Sequence, residues 1–267
     1  MPEPKAPPSR TPPLHSREPL SFNTDLPALP APASFIDAAR EQGIEFDAPD
    51  LVRLGRYLAI LLGANETVNL TAVSDPDQAW TRHILDSLTL MAPLSELPEG
   101  ASIIDVGSGG GLPGIPLAIG MNHLRFTLLE ATGKKAQFLS AVIEALGLTN
   151  ARVLNERAEV VGQDHRAHRE MYDAVVARAV GPMSVIAELT VPLAKEGGSV
   201  FLVKGQKAEE ELLAAKAALH MLHAVHAGTI DTPTGRIVVL DKPRKTPRAY
   251  PRAPGEPKRK PLGAGVE

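Results

Sequence analysis

The segment Ile103-Ile-Asp-Val-Gly-Ser-Gly-Gly-Gly-Leu-Pro-Gly114 constrains this chain more than any other. A short apolar run ends in an acid and passes at once into glycines. A residue with a Cβ resists positive φ, so a strand that must turn sharply and bring its backbone against a ligand uses glycine there. Gly107, Gly109 and Gly111 therefore predict a strand–turn–helix junction. In open α/β sheets the crevice at such a carboxyl edge is where cofactors lie.

The following residues carry the matching rhythm. Leu124–Leu129, Arg152–Asn155, Ala174–Ala177 and Ser199–Val203 read as strands. Lys134–Leu146 reads as a helix with Phe138, Leu139, Val142 and Leu146 on one face, and Met183–Ala194 and Ala208–His220 as two more, with a turn at Gly197-Gly198. Strands alternating with helices predict an α/β fold with a doubly wound, mostly parallel sheet. The last two strands, Leu222–Thr229 and Arg236–Leu240, have only Ile230–Gly235 between them. That is too short for a crossover helix, so they are expected to pair antiparallel.

Residues 34–95 read as an N-terminal helical cap. Ser34 is placed to cap a short helix ending near Gly43, and Asp50 to cap a second. Leu51, Leu54, Leu58, Leu61 and Leu62 give the second an apolar stripe that Gly63 is expected to end. Asp75-Pro76 opens a third helix carrying Trp80, Ile84, Leu88 and Met91, with Trp80 read as core. Residues 1–33 are dense in proline and are expected to form a disordered leader. The sheet-bearing core is assigned to residues 96–241.

The glycine loop leaves two cofactors to weigh. Gly109-Gly-Gly-Leu-Pro-Gly114 matches a dinucleotide loop formally, but it puts Pro113 in the turn and moves the loop off the strand. The form acid–x–Gly–x–Gly–x–Gly, from Asp105 to Gly111, fits without strain. An acid at the strand end suits the cationic amino-acid end of S-adenosylmethionine and faces a pyrophosphate badly. Glu130 ends the next strand nineteen residues after Gly111, placed to accept both hydroxyls of a ribose. Ala158-Glu159 follows the third strand, where an adenine would lie. Arg178 ends the fourth, beside the expected methyl donor.

Composition removes several chemistries. No cysteine is present, which excludes disulfides, thiolate metal sites and the cysteine adduct needed to methylate a pyrimidine at carbon 5. No metal site is expected. The fourth strand runs into Ala177-Arg-Ala-Val-Gly-Pro182, not the Asn/Asp-Pro-Pro-aromatic motif used on exocyclic amines. A guanine N7 remains open, because it carries no proton and needs no general base. The N-terminus lacks a signal-peptide h-region and no apolar run is long enough for a membrane span, so a cytoplasmic protein without membrane contact is expected. The sequence is silent on oligomeric state, and a monomer is the default. The net charge is only −3, so any affinity for nucleic acid must be local. From Lys242 to Lys260 eight basic residues face one acid, Glu256, in a proline-rich stretch. Residues 242–267 thus read as a basic extended tail able to track phosphates.

Asn69-Leu-Thr71, Arg82-His-Ile-Leu-Asp-Ser-Leu88, the glycine segment through Pro116, Arg178-Ala, Leu202-Val-Lys-Gly-Gln206 and Thr246-Pro-Arg-Ala-Tyr-Pro-Arg252 together resemble the RsmG (GidB) family. The resemblance runs from about Phe35 to Leu262. It implies a class I methyltransferase-like Rossmann fold that uses S-adenosylmethionine to methylate N7 of one guanine in 16S ribosomal RNA. The acceptor is then that RNA or a 30S assembly intermediate. It further implies cofactor contacts at Gly107, Leu112, Ala158, Glu159 and Arg178, with Glu130 as the ribose acid beside Asp105 and Gly109. Arg178 and Lys204 are the catalytic candidates. Arg82, His83, Lys204, Lys207, Arg248, Arg252, Lys258 and Arg259 are the RNA-binding candidates, and Arg82 and Asp86, four apart, are placed to pair. Gly110 departs mildly from members that carry proline there. A methyltransferase of small molecules or proteins, a non-catalytic RNA-binding protein and an NAD-dependent oxidoreductase are the competing readings.

Overall fold

Alternation along each strand divides this molecule into two cores. The computed structural model describes residues 20–178 and 181–263. β1 (Ser102–Val106), β2 (Arg125–Leu129), β3 (Ala151–Leu154), β4 (Tyr172–Arg178), β5 (Ala194–Lys204), β6 (Val225–Thr232) and β7 (Gly235–Asp241) form one sheet in the order β3-β2-β1-β4-β5-β7-β6. The first five strands pair parallel, and β7 pairs antiparallel with both β5 and β6. Successive side chains of a strand point to opposite faces. Ile103, Phe126, Leu128, Ala174, Val176, Phe201 and Ile237 therefore bury on one face, and Ile104, Leu129, Val175, Val200, Leu202 and Val238 on the other.

The first face receives α1 (Ala33–Glu41), α2 (Ala48–Val68), α6 (Gly114–Gly120), α7 (Gly133–Leu146) and the short turns α3 (Pro76–Ala79), α4 (Asp86–Leu88) and α5 (Met91–Leu94). Trp80 is fully buried against Phe35, their ring centroids 4.7 Å apart. The N-terminal helices thus share a continuous core with the sheet. The second face carries α9 (Met183–Thr190), α10 (Ala208–Ala214) and α11 (Lys216–Leu222), while α8 (Ala158–Val161) and α12 (Glu256–Arg259) flank α9.

Several local expectations change. α1 begins one residue before Ser34, whose side chain does not cap it. Asp47, not Asp50, caps α2, its carboxylate accepting from Asp50 N at 2.8 Å. Gly63 lies inside α2, because the helix runs to a left-handed Asn69. β5 starts at Ala194, so Gly197-Gly198 lies within the strand. α11 continues to Leu222, which buries among apolar side chains, and β6 starts only at Val225.

The leader and tail depart most. Residues 20–32 are irregular but docked: Leu29 N donates to Gly55 O at 3.1 Å, and Phe22 meets Phe138 edge-on with centroids 5.5 Å apart. A Cβ on Gly55 would lie 2.3 Å from Leu29 O, so a missing side chain on α2 makes the groove. Proline suits this path because the segment joins no ladder. The remainder of the expected disordered leader, residues 1–19, lies outside the described residues. The tail is also held through residue 263, with 264–267 outside the description. Arg169 is buried and donates to the carbonyls of Gly162, Thr246, Pro247 and Tyr250. A proline-rich segment leaves such carbonyls unpaired, and one guanidinium with five donors collects them.

Candidate active site

The glycine segment does what its residues predict. Gly107, Gly109 and Gly111 have φ of 75°, 55° and 98°. Gly107 N and Ser108 N donate to Leu129 O, tying the turn to the end of β2. Tyr57 of α2, wholly buried, donates to Gly110 O at 2.7 Å and fixes the loop from the helical side. At Gly114 a Cβ would lie 2.2 Å from Leu128 Cδ2. The helix start can therefore press against the sheet only as glycine.

Asp105 is fully buried below this loop. Its Oδ2 accepts from Gly114 N at 3.0 Å, while its Oδ1 has no hydrogen-bond partner. Burial lifts its pKa to about 7, against the opposing pull of Gly114 N–H and the Arg178 charge. Glu130 follows β2 directly, its two oxygens accepting from Gly109 N at 3.0 Å and Thr132 N at 2.7 Å.

Two cavities meet at Gly107. The smaller, about 480 Å³, is walled by Val106, Glu130, Ala131, Ala158, Glu159 and Val185. The larger, about 810 Å³, has Thr71, His83, Asp86, Gly109, Leu112 and Arg178 among its walls. Seven of the eight cofactor candidates, all but Asp105, line one or both. Glu159 is neither a surface acid nor free, since it accepts from Gly255 N at 2.7 Å and anchors the tail.

Strand parity places the two strand-end cations on opposite faces. Arg178 follows Val176 and points toward the N-terminal helices. Its Nη1 lies 2.8 Å from Asp86 Oδ2, too poorly angled for a hydrogen bond, and its Nη2 lies 3.1 Å from His83 Nδ1. Lys204 follows Leu202 and points to the other face, where it pairs with Glu211 and donates to Gly181 O. Lys204 is thus removed from the cavity that it was expected to serve.

The expected Arg82–Asp86 pair does not form either. Trp80–Leu85 is a π-helical turn, which shifts the α-helical phase. Arg82 is left exposed, and His83 and Asp86 turn inward. His83 is buried and bonded to Thr71, so it is part of the cavity wall and not an exposed cation. Burial, helped by the Arg178 charge, lowers its pKa to about 4. Arg252 is likewise spent within the protein, forming a two-pronged pair with the completely buried Glu188. Lys207, Arg248, Lys258 and Arg259 are exposed.

Sequence reasoning missed Tyr57, Asn65 and Thr234. Asn65 Oδ1 accepts from Leu70 N and Thr71 N, and its Nδ2 donates to Thr71 O. Thr234 in the β6–β7 turn donates to Asp86. The signal that could have found this turn is the second asparagine, Asn69, a residue type that tolerates the left-handed conformation it adopts here. Among the described residues, no three His, Asp or Glu side chains gather as a metal site, and no helix is long and apolar enough to cross a membrane.

A sheet in this order, a glycine turn after β1 and an acid after β2 define a class I S-adenosylmethionine-dependent methyltransferase. The family model described as rRNA small subunit methyltransferase G, GidB, matches residues 50–234. The chain belongs to that family. It is 47% identical over 239 residues to the Ribosomal RNA small subunit methyltransferase G of Sorangium cellulosum, covering 90% of this chain and 99% of that one. With the enzyme of the same name from Listeria welshimeri it shares 38% over 237 residues, 86% of this chain and 99% of the relative. Cofactor-bound Rv0187 from MTB has the same fold, at 18% identity and a TM-score of 0.52 over 79% of this chain and 97% of that one.

Proposed function

We propose that the two cavities divide the reaction between donor and acceptor. The reaction is S-adenosylmethionine-dependent methylation of guanine N7 at one site in 16S ribosomal RNA. In this reading the smaller cavity takes the nucleoside, with Glu130 on the ribose hydroxyls and Ala158 and Glu159 against the adenine. Gly107, Gly109 and Leu112 carry the amino-acid end past the junction. Asp105, fully buried beneath the glycine turn with Oδ1 unpartnered, lines neither cavity and acts on the cationic end through the loop, by charge across it rather than by contact. When bound, S-adenosylmethionine supplies a methyl on a positively charged sulfur.

The larger cavity then takes the flipped base. The observation that carries this reading is that the carboxylate and the imidazole in its wall are already committed: His83 Nδ1 faces Arg178, and Asp86 holds Arg178 and Thr234. That suits an acceptor with no proton to lose, for which alignment is the main requirement. Arg178 positions the wall. Arg82 at the larger cavity, Lys258 at the smaller, and exposed Lys207, Arg248 and Arg259 suit RNA phosphates, while Lys204 and Arg252 hold the fold. The protein acts as a monomer in the cytoplasm, on 16S RNA or a 30S assembly intermediate.

The test is transfer of labelled methyl to 16S RNA or small subunits, followed by chemical mapping of N7-methylguanine. A single labelled guanine is the expected result; label on protein or on an exocyclic amine overturns it. Gly107→Val places a β-branched residue at φ 75°, straining the backbone by about 1–3 kcal/mol. Calorimetry should show S-adenosylmethionine binding weakened tenfold or more.

A further inference from the structure

Thr71 lines the larger cavity, which the reading above gives to the acceptor base. A threonine hydroxyl has one proton to give and two lone pairs to fill. Val73 N donates to Thr71 Oγ1 at 3.0 Å, and His83 Nε2 lies 2.6 Å from the same oxygen. Which atom donates in the second contact is decided across the ring. His83 Nδ1 lies 3.1 Å from Arg178 Nη2, and a guanidinium can only donate. Nδ1 therefore holds a lone pair, the ring proton sits on Nε2, and His83 donates to Thr71. Both lone pairs of Thr71 are then filled and its own proton is left over.

The arrangement is held from both ends. Asp86 pairs with Arg178 and accepts from Thr234. Asn65 clamps the backbone of Leu70 and Thr71 through three hydrogen bonds. The relay runs one way, from Arg178 to His83 to Thr71 and into the larger cavity, which Thr71 lines.

A group that can only donate reads one purine. The Hoogsteen edge of guanine shows two acceptors, N7 and O6, whereas adenine shows N7 and an amino donor. When N7 is the nucleophile, the substituent at carbon 6 is what remains to be read. We propose that Thr71 selects guanine by donating its hydroxyl proton to O6 of the target base. This rests on the guanine-N7 reading above. An ordinary threonine would turn and accept from an adenine amino group; His83 and Val73 remove that option. His83 is accordingly a positioning residue.

The experiment compares wild type, Thr71→Val and Thr71→Ser on small subunits reconstituted with guanine or 2-aminopurine at the target. 2-Aminopurine keeps N7 and lacks O6. Single-turnover methyl transfer is read for each pair, with S-adenosylmethionine affinity measured alongside. Thr71→Val should slow transfer to guanine by about ten- to a hundredfold, the cost of leaving one buried acceptor without its donor. It should also lose the wild-type preference for guanine over 2-aminopurine, and Thr71→Ser should restore both. An unchanged rate on guanine overturns the inference. So does an equal loss on both bases, which marks a structural role. Absence of wild-type transfer to guanine itself would instead overturn the underlying reading.

Discussion

At the scale of single residues, the site is governed by what each buried group lacks. Asp105 has one oxygen satisfied and one bare, and burial raises its pKa from 3.8 to about 7. The folded chain thus holds a proton that the unfolded chain gives up near 3.8. Its contribution to stability is full below that value and is lost as pH rises through about 7. A cation bound on the other side of the glycine turn favours the carboxylate through space. S-adenosylmethionine binding is therefore expected to release a proton near neutrality and to tighten as pH rises from 6 to 8. Calorimetry in buffers of differing ionisation enthalpy measures that release, and Asp105→Asn should abolish it. The candidate acids and glycines were legible because their spacing follows from the strand–turn–helix junction. His83 was not, because a histidine in a helix gives no sign of the arginine that arrives from a strand ninety-five residues later.

At the scale of elements, two periodicities decide what a side chain can reach. Strand parity sends Arg178 to the cavity and Lys204 away from it; both strands were read nearly correctly, but their pairing with opposite helix layers was not in view. The π-helical turn after Trp80 undoes an i,i+4 argument that holds only for an unbroken α-helix. α2 acts as a brace on the glycine loop through Tyr57. Tyr57→Phe leaves Gly110 O buried without its donor, which costs about 1–3 kcal/mol. Urea unfolding should show a lower midpoint with an unchanged slope.

At the scale of the molecule, the C-terminal segment belongs to the fold. Glu188 is completely buried and depends on Arg252, while Glu159 holds Gly255. Removing one partner of a buried pair costs about 3–5 kcal/mol, so Arg252→Ala should destabilise the whole chain and open residues 246–263 to protease. Neutralising Arg248, Lys258 and Arg259 together should leave unfolding unchanged. It should weaken RNA binding and reduce its dependence on salt, as read by filter binding across a salt series. One basic stretch thus contains two populations that composition cannot separate.

Local chemistry alone determined the alternating strands and helices, the glycine turn, the acid after β2 and the family. Each follows from periodicity, from backbone freedom or from short spacings that a chain carries wherever it folds. Tertiary structure decided which charges are spent on neighbours, which face each strand-end cation serves, and the direction of the relay through Thr71. Those depend on groups brought together from distant positions, where burial makes an unpaired charge too costly to leave.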